Sequence, residues 1–137
     1  MNHSIIYDYY SPELCKKLED SLIIFGDNML RKGTGGQACI RKCKNSLGVA
    51  TKILPTMSEE AFFHSEEIAR NVVMADIDNA VIISESLGKP LLFPASGLGT
   101  GLAKLNEMYP KVFEEMNEDI SELIGKDYGS IVRDNNV

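Results

Sequence analysis

Leu22-Ile23-Ile24-Phe25-Gly26-Asp27-Asn28 is the stretch whose reading decides the fold. Its four consecutive apolar residues predict a short strand buried on both faces, as in parallel sheets, and Gly26-Asp27-Asn28 is expected to end it. Gly33-Thr34-Gly35-Gly36 follows, ahead of a helix expected over 37–46. The same order recurs downstream: Leu91-Leu92-Phe93-Pro94 predicts a strand, Gly97-Leu98-Gly99-Thr100-Gly101 a turn, and 106–124 helical structure. Glycines accept positive φ and let backbone N–H groups approach a ligand with no Cβ in the way, and a helix N-terminus adds partial positive charge. Two such junctions describe a cradle for phosphate groups.

Working outward, residues 5–10 alternate weakly and predict an edge strand. Ser11-Pro12-Glu13 supplies an N-cap, a proline at the first helical position and an acid in the first turn, for a helix running to about Asp20. Gly48 reads as the residue closing the helix over 37–46, and 49–54 as a further strand. The connection 55–64 carries Phe62-Phe63, which reads as a pair of core residues in preference to the alternative, a lid that stacks on a base or ribose. Ser65-Glu66-Glu67 opens the longest helix, with Ile68, Val72, Ala75, Ile77, Ala80, Ile83 and Leu87 as its apolar face, and Gly88-Lys89-Pro90 ends it. Pro110 suits the start of the last helix, and 125–137 reads as a polar C-terminal tail. Strands alternating with helices predict an α/β sandwich with a mostly parallel sheet, in one domain over 1–137 whose core spans about 22–124.

The 137 residues carry 14 basic and 20 acidic side chains, a formal charge of −6 that argues against general nucleic-acid binding. The distribution is uneven, however. No acid lies between Asp27 and Glu59, where Arg31, Lys32, Arg41, Lys42, Lys44 and Lys52 fall, so positive charge collects beside the first glycine turn, although Arg41, Lys42 and Lys44 read equally well as a solvated helix face. Three cysteines, Cys15, Cys39 and Cys43, do not form a disulfide framework, and with only His3 and His64 beside them a metal site is not expected. No run is long enough to cross a bilayer and the N-terminus has no signal-peptide pattern, so no membrane partner and a cytoplasmic location are expected.

A P-loop needs Lys-Ser or Lys-Thr directly after its last glycine, whereas Leu102-Ala103 follows Gly101. A dinucleotide-binding turn needs a later strand carrying an acid, and the second turn leads into the last helix instead. What remains, Phe25-Gly26-Asp27-Asn28, then Gly33 to Ala38, then Phe93-Pro94-Ala95-Ser96-Gly97-Leu98-Gly99-Thr100-Gly101, resembles the macrodomain superfamily of ADP-ribose binders and hydrolases over about residues 22–116. Val49-Ala50-Thr51-Lys52 looks like the strand that carries a catalytic lysine in the branch of terminal ADP-ribose protein glycohydrolase and the antitoxin acting on ADP-ribosylated DNA. The resemblance implies a three-layer α/β/α sandwich with a mostly parallel mixed sheet. It implies a ligand, ADP-ribose or a related nucleotide, held by Asn28 at the distal ribose and by Gly33, Thr34, Gly35, Gly36, Gln37, Ser96, Gly97, Leu98, Gly99, Thr100, Gly101 and Leu102 around the diphosphate. It implies no cofactor. If the protein is a hydrolase, Lys52, Asn28 and Asp27 are the catalytic candidates, and an ADP-ribosylated macromolecule is the substrate. Ala103 stands where that branch carries an aspartate, which weights the expectation toward binding.

The residues themselves support a ligand role independently. Asn28 offers donor and acceptor groups suited to ribose hydroxyls, and Ser96 and Thr100 add hydroxyls to the glycine N–H groups. Three functions follow: a nucleotide binder that could sequester a signal, an ADP-ribosyl or phosphate-ester hydrolase, and an interaction or inhibitor protein presenting the acids of 107–122 to a basic partner.

Overall fold

The computed structural model describes residues 2–136. Four strands, β1 (Ser4–Ile6), β2 (Leu22–Asn28), β3 (Ser46–Lys52) and β4 (Leu91–Pro94), form one sheet in the order β1-β4-β2-β3. Every pairing is parallel, so among the described residues the expected mostly parallel sheet is parallel throughout. The carboxyl ends of β2, β3 and β4 therefore lie at the same end of the sheet, where open α/β sheets place their ligands.

Five α-helices complete the described chain: α1 (Pro12–Lys17), α2 (Glu66–Leu87), α3 (Leu105–Met108), α4 (Pro110–Ile124) and α5 (Tyr128–Asn135). The alternation of β2 sorts them into layers. Leu22 and Ile24 pack with residues of α2, α4 and α5 in the larger core, while Ile23 and Phe25 pack with Cys15 of α1 and with Ala38 and Ile40 on the opposite face. Local chemistry sets the helix ends as expected. Ser11 Oγ accepts from Leu14 N at 3.1 Å, Ser65 Oγ accepts from Ile68 N at 3.2 Å, Pro110 opens α4, and Gly88 closes α2 at φ 65°.

Three expectations are corrected. The helix expected over 37–46 is a five-residue 3₁₀ turn, Gly36–Ile40, and Gly48 lies inside β3 instead of closing a helix. The reason is across the sheet. A Cβ on Gly48 would lie 2.3 Å from Asp27 Oδ2 on the neighbouring strand, so glycine makes room for that carboxylate. On α2, the inward face is Ala69, Val73, Ile77, Ala80 and Ser84, while Ile68 and Leu87 are exposed. The helix presents mainly small residues to the sheet, and its largest side chains do not mark the buried stripe. Finally, residues 128–135 are a helix and not a loose tail: Tyr128 and Val132 enter the larger core, and Asp127 caps the helix by accepting from Ser130 N.

β3 is an edge strand, and its outward backbone is partly covered. Ala50 N donates to Asp76 Oδ2 of α2 at 2.8 Å, occupying one position where another chain could pair. Among the described residues no helix is long and apolar enough to cross a membrane, and no group of three His, Cys, Asp or Glu side chains could hold a metal ion.

Candidate functional site

The two glycine turns meet at the carboxyl end of the sheet and line one cavity of about 450 Å³. Gln37 holds them together. Its Oε1 accepts from Gly26 N at 2.8 Å at the end of β2, and its Nε2 donates to the Gly97 carbonyl at 2.9 Å and to Ser96 Oγ at 3.2 Å. One side-chain amide thus ties the strand, the first turn and the second turn into a single wall.

The glycines of that wall fall into two kinds. Gly97 (φ 91°) and Gly99 (φ 75°) are required by the fold, because a Cβ would meet Val132 Cγ1 at 2.7 Å in the first case and Leu105 Cβ at 2.7 Å in the second. Gly35 and Gly101 have no such need: their φ is ordinary and nothing lies within 4 Å of where a Cβ would stand. Both line the cavity, where a side chain would occupy the space open to a ligand. Among the described residues, no group accepts a hydrogen bond from the backbone N–H of Gly35, Gly99, Thr100 or Gly101. Successive free N–H groups in turns make an anion-binding concavity.

Asn28, Lys32 and Lys52 also line the cavity. A register shift between Asp27 and Asn28 places Asn28 opposite Lys52. Asn28 Nδ2 donates to the Lys32 carbonyl at 2.8 Å, so the side chain braces the first turn while its residue lines the cavity. Lys52 is almost fully buried, with Nζ donating to the Thr56 carbonyl at 2.9 Å and lying 5.4 Å from the centre of the Phe62 ring. Burial disfavours its charge and holds the amine below the usual lysine range. Of the Phe62-Phe63 pair, Phe63 is core and Phe62 is the half-buried cover over Lys52.

Asp27 lines the cavity but is heavily engaged. Arg41 donates to both its oxygens, at 3.0 and 2.6 Å, Asn28 N donates at 2.8 Å, and Arg31 approaches to 3.5 Å. The Asp27 side chain is 2% exposed and that of Arg41 17%. Removing either partner would strand a largely buried charge, at a cost of about 3–5 kcal/mol. Arg41, Lys32, Thr51 and Pro55 also line the cavity and were not singled out as site residues, although the acid-free stretch from 28 to 58 contains all four.

Of the ligand residues expected from the sequence, Thr34 and Leu98 do not line the cavity. Thr34 is exposed, and Leu98 is fully buried in the larger core. Leu102, 71% exposed, stands at the rim beside Ala103. A second groove of about 420 Å³ adjoins the cavity, shares Gly36, Gln37 and Ser96 with it, and carries Tyr7, Tyr9 and Tyr10.

The fold and the cavity define an α/β protein with a glycine-lined crevice at the carboxyl end of a parallel sheet. The chain belongs to a family of unknown function, DUF7831, whose profile matches residues 5–119. No curated protein and no solved structure matches it.

Proposed function

We propose that the protein is a macrodomain-like binder of ADP-ribose or a related nucleotide, with the diphosphate between the two glycine turns. The observation that carries this reading is the convergence on one cavity of two turns in which the N–H groups of Gly35, Gly99, Thr100 and Gly101 have no acceptor among the described residues. The basic side chains lining the cavity add attraction for an anion, and the neighbouring tyrosines offer flat faces on which a base can stack. In this reading Asn28, which lines the same cavity, meets the distal ribose. Calorimetric titration with ADP-ribose, ADP, NAD and a cyclic dinucleotide tests the reading, with ADP-ribose expected to bind tightest. No heat with any of the four would overturn it.

Hydrolysis is the second reading, favoured by one observation: the Lys52 amine, depressed in basicity by burial, sits in the cavity wall and could attack an anomeric carbon. The proton transfers of such a reaction need an acid. Among the described residues Asp27 is the one carboxylate lining the cavity and its oxygens are held by arginines, while Ala103 at the rim provides none. Binding without efficient turnover fits this wall better. Incubation with ADP-ribosylated DNA and protein in the presence of borohydride separates the readings, since rapid turnover with an adduct trapped at Lys52 would establish the hydrolase.

A further inference from the structure

Arg41 does more than neutralise Asp27. Its Nε donates to the Gly33 carbonyl at 2.7 Å and one terminal nitrogen donates to the Lys32 carbonyl at 3.2 Å, while the guanidinium lies 5.4 Å from the centre of the Phe25 ring. The remaining donors form the two-point contact with Asp27 described above. A single planar group therefore reads two consecutive carbonyls of the first glycine turn and registers them against the end of β2. Lysine could not reproduce this, having one compact charge in place of a rigid fork.

The base of this arrangement is fixed from behind. Asp27 occupies the space that the absent side chain of Gly48 leaves open. Arg31, held at φ 56°, links Asp27 to Asp76 on α2, with contacts of 3.0 and 2.8 Å to the two oxygens of Asp76, and Asp76 in turn accepts from Ala50 N. The chain of contacts runs from the cavity rim through two ion pairs to the edge strand.

We infer that Asp27 and Arg41 are a positioning pair, seated by Gly48, that fixes the first glycine turn with its Lys32 and Gly33 carbonyls drawn onto the guanidinium and away from an anion. Its role in binding rests on the reading of the cavity as a phosphate site; its role in ordering the turn does not. Asp27 and Arg41 then act through the turn, not as acid, base or direct ligand contact. A carbonyl free to swing toward the cavity would repel phosphate, and a mobile turn would have to be ordered by each ligand that bound.

Backbone ¹⁵N relaxation and calorimetry on Arg41→Lys and Gly48→Ala test this. Gly48 does not line the cavity, so its variant acts only by displacing Asp27, and Arg41→Lys serves if that variant fails to fold. In the native protein the order parameters of residues 33–36 should be near 0.85, as for rigid backbone, and in either variant they should fall toward 0.6 while β2 and α2 are unchanged. A loss of stability alone would leave these native-state values where they were. ADP-ribose affinity should fall tenfold or more in parallel. If the native protein binds neither ADP-ribose nor pyrophosphate yet the turn loosens selectively, the positioning pair stands and the phosphate reading falls. Unchanged order parameters over 33–36 in Arg41→Lys would overturn the inference, whatever the ligand result.

Discussion

Gln37 Nε2 donates to the carbonyl of Gly97 at 2.9 Å, across a separation of sixty residues in the chain. With Oε1 of the same side chain accepting from Gly26 N, this contact joins the two turns along one wall of the crevice. A side-chain hydrogen bond contributes about 1 kcal/mol net, but here the bond also bears on geometry.

Gln37→Glu keeps the acceptor for Gly26 N while removing both donors to the second turn and adding negative charge to the wall. We expect a loss of about 1–3 kcal/mol in stability by urea denaturation, and ADP-ribose affinity reduced by more than that alone explains. Full affinity in this variant would show that the bridge is dispensable.

Gly101→Val and Gly35→Val should retain stability within about 0.5 kcal/mol, because the Cβ enters open space, and should abolish nucleotide binding by filling the cavity. Gly99→Val should instead cost about 3 kcal/mol or more, through positive φ and collision with Leu105. Thermal melting and calorimetry on the three variants check the contrast, which disappears if the cavity is misplaced.

Tyr128 Oη donates to the Pro94 carbonyl at 2.5 Å in a fully buried position, and burial raises its pKa, so the phenol stays protonated. Gly97 N donates to the same carbonyl at 3.0 Å, so Tyr128→Phe removes one of its two donors and should cost about 1 kcal/mol in chemical denaturation. A neutral substitution would mean that Gly97 N satisfies the carbonyl by itself.

The pH dependence of stability should carry the signature of Lys52. Its pKa in the folded chain lies below the ordinary value of 10.5, so between the two values the unfolded chain binds the extra proton. Stability contributed by this group therefore rises with pH across that window, and the penalty on the charged amine is fully present below it. Replacing Lys52 with Met should remove this contribution, so that the stability of the native protein relative to the variant, measured by denaturation, rises with pH across the window. A relative stability that falls across it would reverse the assigned direction.

Local signals in the sequence were enough for the caps at Ser11, Ser65 and Gly88, and for the buried runs that became β2 and β4, because each depends on neighbours within a few residues. The glycine turns were legible for the same reason. Gly48 was not, since its purpose lies in Asp27 on the adjacent strand, and a glycine after a polar stretch looks like a helix stop. Arg41 read equally well as a solvated helix residue, because the two carbonyls and the carboxylate that engage it are remote or irregular in the chain. In α5 only Tyr128 and Val132 are buried, too few apolar positions to stand out of a polar sequence.

That last helix bears on how the second turn can change over evolution. Val132 fills the space beside Gly97, and Asn136 Nδ2 donates to the Ser96 carbonyl at 2.9 Å, yet both lie beyond residues 5–119, the span that matches the family. A smaller residue at 132 would relieve only part of the crowding at position 97, because Thr100 Cγ2 and the positive φ still exclude a side chain there, so glycine at 97 is held by the turn itself as well as by the last helix. Grafting only the matched span of this chain onto another protein would carry the cradle across without one of its walls.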